Sequence, residues 1–175
     1  MNYEEMSNNK LHLQGVVTQQ PKFSHEVCGE GFYETFLQID RLSGQVDIIP
    51  ITISERLIEK HNIKVGDEIA IVGQFRSYNK IVGEKSKLVL TAFVREVVEN
   101  NSGNPNEIQL TGYICKLPIY RVTPFKREIC DTLLAVNRAY GKSDYIPCIL
   151  WGRNARYTND LSIGTKLAIS GRAHV

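Results

Sequence analysis

Two aromatic residues and the cations around them are the part of this sequence best suited to chemistry. Tyr145 and Trp151 lie six positions apart in DYIPCILWGR (Asp144–Arg153), and Trp151 is the chain's one tryptophan. Alternation along this apolar run reads as a β-strand with Tyr145, Pro147, Ile149 and Trp151 on one side and Ile146, Cys148 and Leu150 on the other. Arg138, Lys142, Arg153 and Arg156 flank the run. Aromatic faces on a basic surface suit single-stranded nucleic acid. Each stacked base adds ~1–3 kcal/mol, and Lys and Arg hold the phosphates. Every base has a flat face, so such a surface tolerates any sequence. The spacing alone also fits a protein–protein contact, or a small apolar cluster beneath a loop.

Two further stretches interleave aromatic and basic residues. KLPIYRVTPFKR (Lys116–Arg127) reads as a loop carrying Tyr120, Arg121, Phe125 and Lys126. FRSYNKIVGEKSK (Phe75–Lys87) reads as a strand running into a loop, with Arg76 and Tyr78 as candidate contacts and Lys80, Lys85 and Lys87 beyond them. Phe36, Phe75 and Tyr78 are expected on exposed strand faces. Nucleic-acid contact and simple packing are both open for these residues.

Other chemistries find no support. Cys28, Cys115, Cys130 and Cys148 form no CxxC pair, and His12, His25, His61 and His174 cluster neither with them nor with each other. Metal binding is therefore not expected. GEG (Gly29–Gly31) lacks the strand-before, helix-after setting of a phosphate loop and reads as a hairpin turn. Without a nucleophile–base arrangement, paired carboxylates or HExxH, neither an enzyme nor a cofactor is expected.

The elements that position these residues come in two copies. Shifted by 97 positions, LQGVVTQQP (Leu13–Pro21) falls on LTGYICKLP (Leu110–Pro118), and TFLQIDR (Thr35–Arg41) on TLLAVNR (Thr132–Arg138). Gly44, Asp47, Ile49 and Pro50 fall on Gly141, Asp144, Ile146 and Pro147. One inserted residue later, VGDEIAIVGQ (Val65–Gln74) falls on IGTKLAISGR (Ile163–Arg172). We read this as duplication of one domain. In the first copy the pattern predicts strands over Lys10–Thr18, Phe32–Arg41, Val46–Ile53, Glu68–Tyr78 and Lys87–Val97, with a helix over Ser54–His61 begun by a Ser N-cap. Five strands with a helix after the third is the order of an OB-fold.

The predicted fold is therefore all-β with short helices: two tandem OB-fold five-stranded Greek-key barrels. Residues 1–9 are a tail, 10–99 the first barrel, 100–106 a polar linker and 107–175 the second barrel. Val175 falls on Ser77, so the second copy lacks a fifth strand. Continuation of the chain, a strand from another chain or from the N-terminal segment, or oligomerisation could each close it. A sequence that stops in mid-strand favours truncation of a longer chain. The duplication also supplies a control for the aromatic strand. Its inner face is apolar in both copies, whereas its outer face changes from Ile48, Pro50, Thr52 and Ser54 to Tyr145, Pro147, Ile149 and Trp151.

AVNRAYGKSDYIPCILWGRNAR (Ala135–Arg156) resembles the central signature of bacterial single-stranded DNA-binding proteins. A strand ending in Val-Asn-Arg is followed by a variable loop, then by a strand with an aromatic start and an aromatic-Gly-basic end leading into a helix. The resemblance extends more weakly to GTKLAISGR (Gly164–Arg172) and LTGYICKLP, and so covers nearly all of the second copy. The first copy matches in outline but lacks the aromatics. The resemblance implies an OB-fold that stacks single strands on Tyr145 and Trp151, a role in replication, recombination or repair, and a homodimer presenting four OB-folds. The acidic tail tip usual in that family is absent here, which leaves partner recruitment open. An OB-fold assembly module for a replication complex and an RNA-binding protein are the rival readings.

Charge agrees with this division. Residues 1–106 carry 11 Lys+Arg and 14 Asp+Glu, whereas residues 107–175 carry 10 and 5. The basic second copy suits an anionic partner. A polar, acidic N-terminus and the absence of a long apolar run predict a cytoplasmic, nucleoid-associated protein without a membrane span, and no small-molecule substrate is implied.

Overall fold

The computed structural model describes residues 7–99 and 103–175. They divide into two compact units, residues 9–99 with 103–109 and 170–175, and residues 7–8 with 110–169.

In the first unit the chain runs β1 (Asn9–Val17), β2 (Lys22–Val27), β3 (Glu30–Asp40), β4 (Val46–Ser54), α1 (Glu55–His61), β5 (Glu68–Val82) and β6 (Lys85–Val98). β1 pairs with β3 and β5, β3 with β4, and β5 with β6, all antiparallel. A parallel contact of β4 with β6, Ile51 opposite Ala92, closes the ring into the OB-fold barrel. Alternation explains its core: Leu11, Leu13, Leu37, Ile39, Ile49, Ile51, Ile53, Ile71, Phe75 and Val94 are all buried. Each such aliphatic side chain contributes ~1.5–3 kcal/mol of burial. Ser54 caps α1 by accepting from the Leu57 amide at 3.3 Å, and Asn62 ends it in the left-handed region at φ 50°.

Three expectations for this unit need correction. Phe75 is a core residue at 3% exposure, not an exposed-face aromatic, because it alternates with outward Arg76. The expected loop before the fifth strand is a paired ribbon, with Tyr78 opposite Val89 and Val82 opposite Lys85. The segment before β3 contains the extra strand β2, joined to β3 through a tight turn with positive φ at Cys28 and Gly29.

The second unit is built from β7 (Asn106–Ile114), β8 (Ile119–Val122), β9 (Glu128–Asn137), a 3₁₀ turn (Ala139–Gly141), β10 (Ser143–Trp151), α2 (Arg153–Asn159) and β11 (Lys166–Gly171); the unit boundary falls within β7 and β11. β9 pairs with β7, β8 and β10, and β11 pairs with β7. Among the described residues no strand lies between β10 and β11. The expected loop Lys116–Arg127 contains β8, which lies against β9 with Ile119 opposite Asp131 and Val122 opposite Glu128.

The duplication is visible in bonds as well as in residues. Arg41 forks onto buried Asp47, and Arg138 onto buried Asp144, each Nε donating at 2.8 Å. Asn9 exchanges both amide bonds with Phe75, and Asn106 does the same with Ala173. A Cβ on Gly15 would stand 2.4 Å from the Gln38 carbonyl oxygen, and one on Gly112 2.4 Å from that of Ala135, so both positions need glycine for the same close strand approach.

Candidate nucleic-acid interface

Strand pairing arranges the outer face of the second unit in rows. Directly paired residues share a side of a sheet. One row is Tyr113, Ala135 and Tyr145, from β7, β9 and β10. Farther along lie Leu133 and Pro147, then Ile119, Asp131 and Ile149, and finally Arg121, Ile129 and Trp151. The row alternating with the first, Ile114, Leu134 and Ile146, points inward and is buried. Tyr145 is 45% exposed and Trp151 52% exposed. They stand six residues apart on one strand, a span of ~20 Å at ~3.3 Å per residue. Ile149 between them is exposed as well, while Ile129 is buried between Arg121 and Trp151.

The candidate cations divide into tethered and untethered groups. Arg121 lies on this outer face and donates to Asp131 at 2.8 Å. That pair is exposed on both sides, so the link is weak and exchangeable. Arg138 is held by buried Asp144 at the hairpin end, which gives it a structural task. Hydrogen bonding to Asp144 raises its pKa further, keeping it charged. Arg156 on α2 pairs with Glu128 at 2.9 Å. Lys126, Lys142 and Arg153 are exposed, and among the described residues no ion pair engages them. Lys126 sits in the turn between β8 and β9 with φ 60°, beside Phe125 at 88% exposure.

Tyr120 points the other way. It pairs with Cys130, a core-face residue, so its ring lies opposite the Tyr145–Trp151 side. Desolvation, and then the Glu128 carboxylate, raise its hydroxyl pKa. Tyr120, Glu128 and Arg156 thus tie β8 to α2 and stand apart from the outer rows. Cys148 also faces inward, and burial pushes its thiol up to about 12, where it stays protonated.

Arg76 and Tyr78 belong to the first unit, where β5 places both on the outer side. Arg76 lies 3.9 Å from the Phe93 ring centroid, and its Nη2 donates to Gln74. Phe93 packs against Phe32, which in turn stacks with His25. The Tyr78 hydroxyl donates to Glu34 at 3.4 Å. The sequence reading missed Tyr113, Ile119 and this Phe32–Phe93 cluster. Tyr113 carried a usable signal, since it replaces Val16 of the first copy just as Tyr145 replaces Ile48.

Comparison with known proteins bears on the same stretch. The single-strand binding protein family matches residues 105–175. No curated protein matches the chain. Among solved structures, a deletion mutant of the single-stranded DNA binding protein from Thermus aquaticus is similar at TM-score 0.72 and 21% identity, covering 94% of this chain and 85% of that one. The wild-type Thermus aquaticus protein gives TM-score 0.69 and 23% identity, covering 94% and 84%. The N-terminal domain of PriB protein from Thermoanaerobacter tencongensis is 43% identical, covering 53% of this chain and 96% of that one, at TM-score 0.46. The Thermus likeness bears out the OB-fold architecture, and the family match falls on residues 105–175, the stretch that carries Tyr145 and Trp151.

Proposed function

We propose that the chain binds single-stranded DNA without regard to base sequence, using the outer face of β8, β9 and β10 as its stacking surface. One observation carries this reading: the stretch that matches the single-strand binding protein family is also the stretch whose register turns Tyr145 and Trp151 outward. Stacking supplies sequence-tolerant affinity, and the exposed cations Arg121, Lys126, Lys142 and Arg153 would hold phosphates. Arg76 and Tyr78 of the first unit add a second, smaller contact region. The protein is non-enzymatic in this reading and protects exposed strands during bacterial replication, recombination or repair in the cytoplasm. Two copies would together present four OB-folds as a homodimer.

Exposed Ile119 and Ile149 between the aromatic rows also suit a protein partner, which keeps the assembly reading open to test. Trp151 fluorescence titrated with oligo-dT, duplex DNA and oligo-U separates the readings. Quenching by dT and none by duplex is expected. No quenching by dT, alongside stable association with another protein, would favour assembly. Tighter quenching by oligo-U would make RNA the ligand.

A further inference from the structure

Tyr113, Ala135 and Tyr145 occupy one straight row across three strands, and we infer that they form a slot that takes a single nucleotide base between the two tyrosine rings. The inference rests on the single-stranded DNA reading of this face and names a contact within it.

The geometry is that of a sandwich. Neighbouring strands are ~4.8 Å apart, so two strand spacings put the tyrosine backbones about 10 Å from each other. A base stacked on both faces needs about 7–8 Å between ring planes, two contacts of ~3.5–4 Å. A slight lean of the two side chains covers the difference. The floor is Ala135, whose methyl group leaves the space between the rings open. Gly112 locks the row, because its close approach to the Ala135 carbonyl fixes β7 against β9 beside Tyr113.

The first barrel shows that this row is not required by the fold. The matching row there is Val16, Gln38 and Ile48, paired in the same register. Val16 and Ile48 are 38% and 53% exposed, against 40% and 45% for Tyr113 and Tyr145. The second copy has therefore replaced two aliphatic side chains by rings that stay partly exposed, while its floor has shrunk from Gln to Ala. Two partly exposed rings above a smaller floor suit a flat ligand between them.

The test is anisotropy of end-labelled oligo-dT with the full chain, read beside Trp151 quenching and thermal melts. Tyr113→Ala should weaken dT binding roughly ten-fold, within the range of one stacked base, and Tyr113→Phe should restore it. Ala135→Gln, which installs the floor of the first barrel and keeps both rings, should weaken binding as much. Because Tyr113 and Tyr145 share one base, the double Ala variant should lose less than the product of the single losses. Wild-type affinity in both Tyr113→Ala and Ala135→Gln, with Tyr145→Ala and Trp151→Ala still impaired, would overturn the slot and leave the DNA reading standing. Failure of the wild-type chain to bind dT at all would remove both.

Discussion

The strand itself does not demand aromatic rings at Trp151 and Tyr145, since their first-copy counterparts are Ser54 and Ile48 in the same fold. Replacing both by Ala should leave the melting temperature within a few degrees and cost oligo-dT affinity about 2–6 kcal/mol, one stacked base for each ring; equilibrium titration at fixed salt reads it. Asp47 is the opposite case, a residue whose weight falls on stability. The Arg41 hydrogen bonds, opposed by desolvation and helped by His174, hold its carboxyl at about 2 rather than 3.8. A carboxylate depressed on folding stabilises above its unfolded pKa and loses that contribution as pH falls through the folded value. At ~1.36 kcal/mol per pKa unit, about 2 kcal/mol should disappear between pH 4 and pH 2. Urea midpoints across that window should fall in the wild type. In Asp47→Asn they should be lower at pH 7 and flatter in acid.

At the scale of elements, legibility followed burial. β1, β3, β4 and α1 were readable because each presents a buried stripe: Leu37 and Ile39 in β3, Ile49, Ile51 and Ile53 in β4, Leu57 under a Ser cap. β2 and the tip of the β5–β6 ribbon, residues 79–86, were not readable, since their residues are exposed on both sides and carry no alternation. Pairing alone makes them strands, and pairing is a property of two segments together. β8 escaped for the same reason, and with it the position of Tyr120, whose side of the sheet depends on its register against Cys130. The ribbon gives a direct check. Replacing residues 80–87 by a two-residue Asn-Gly turn keeps the Asn79–Leu88 pair and removes Lys80, Lys85 and Lys87 but almost no buried surface. Thermal stability should change little, while dT affinity should drop several-fold if the ribbon meets the strand. Unchanged affinity would confine binding to the second unit.

Across the whole molecule, the two copies have diverged in charge while keeping one fold. The duplication was legible because its devices are short and local: a glycine on the first strand, an Arg–Asp fork and a shared inner face. The divergence was legible on the outer face, where Tyr145 stands in place of Ile48, and in charge, where residues 1–106 are acidic on balance and residues 107–175 basic. Charge of this kind acts through counterion release, so log K for dT should fall linearly with log salt at ~0.7 per phosphate neutralised. The asymmetry then makes a prediction about position. Lys142→Gln with Arg153→Gln removes two exposed cations of the second unit and should lower the slope by about 1.4. Lys60→Gln with Lys64→Gln removes the same charge from the exposed end of α1 and the turn after it in the first unit. That pair should shift the curve only through net charge and leave its slope unchanged. Equal slopes in the two double variants would mean that strand contacts do not follow the charge division between the copies.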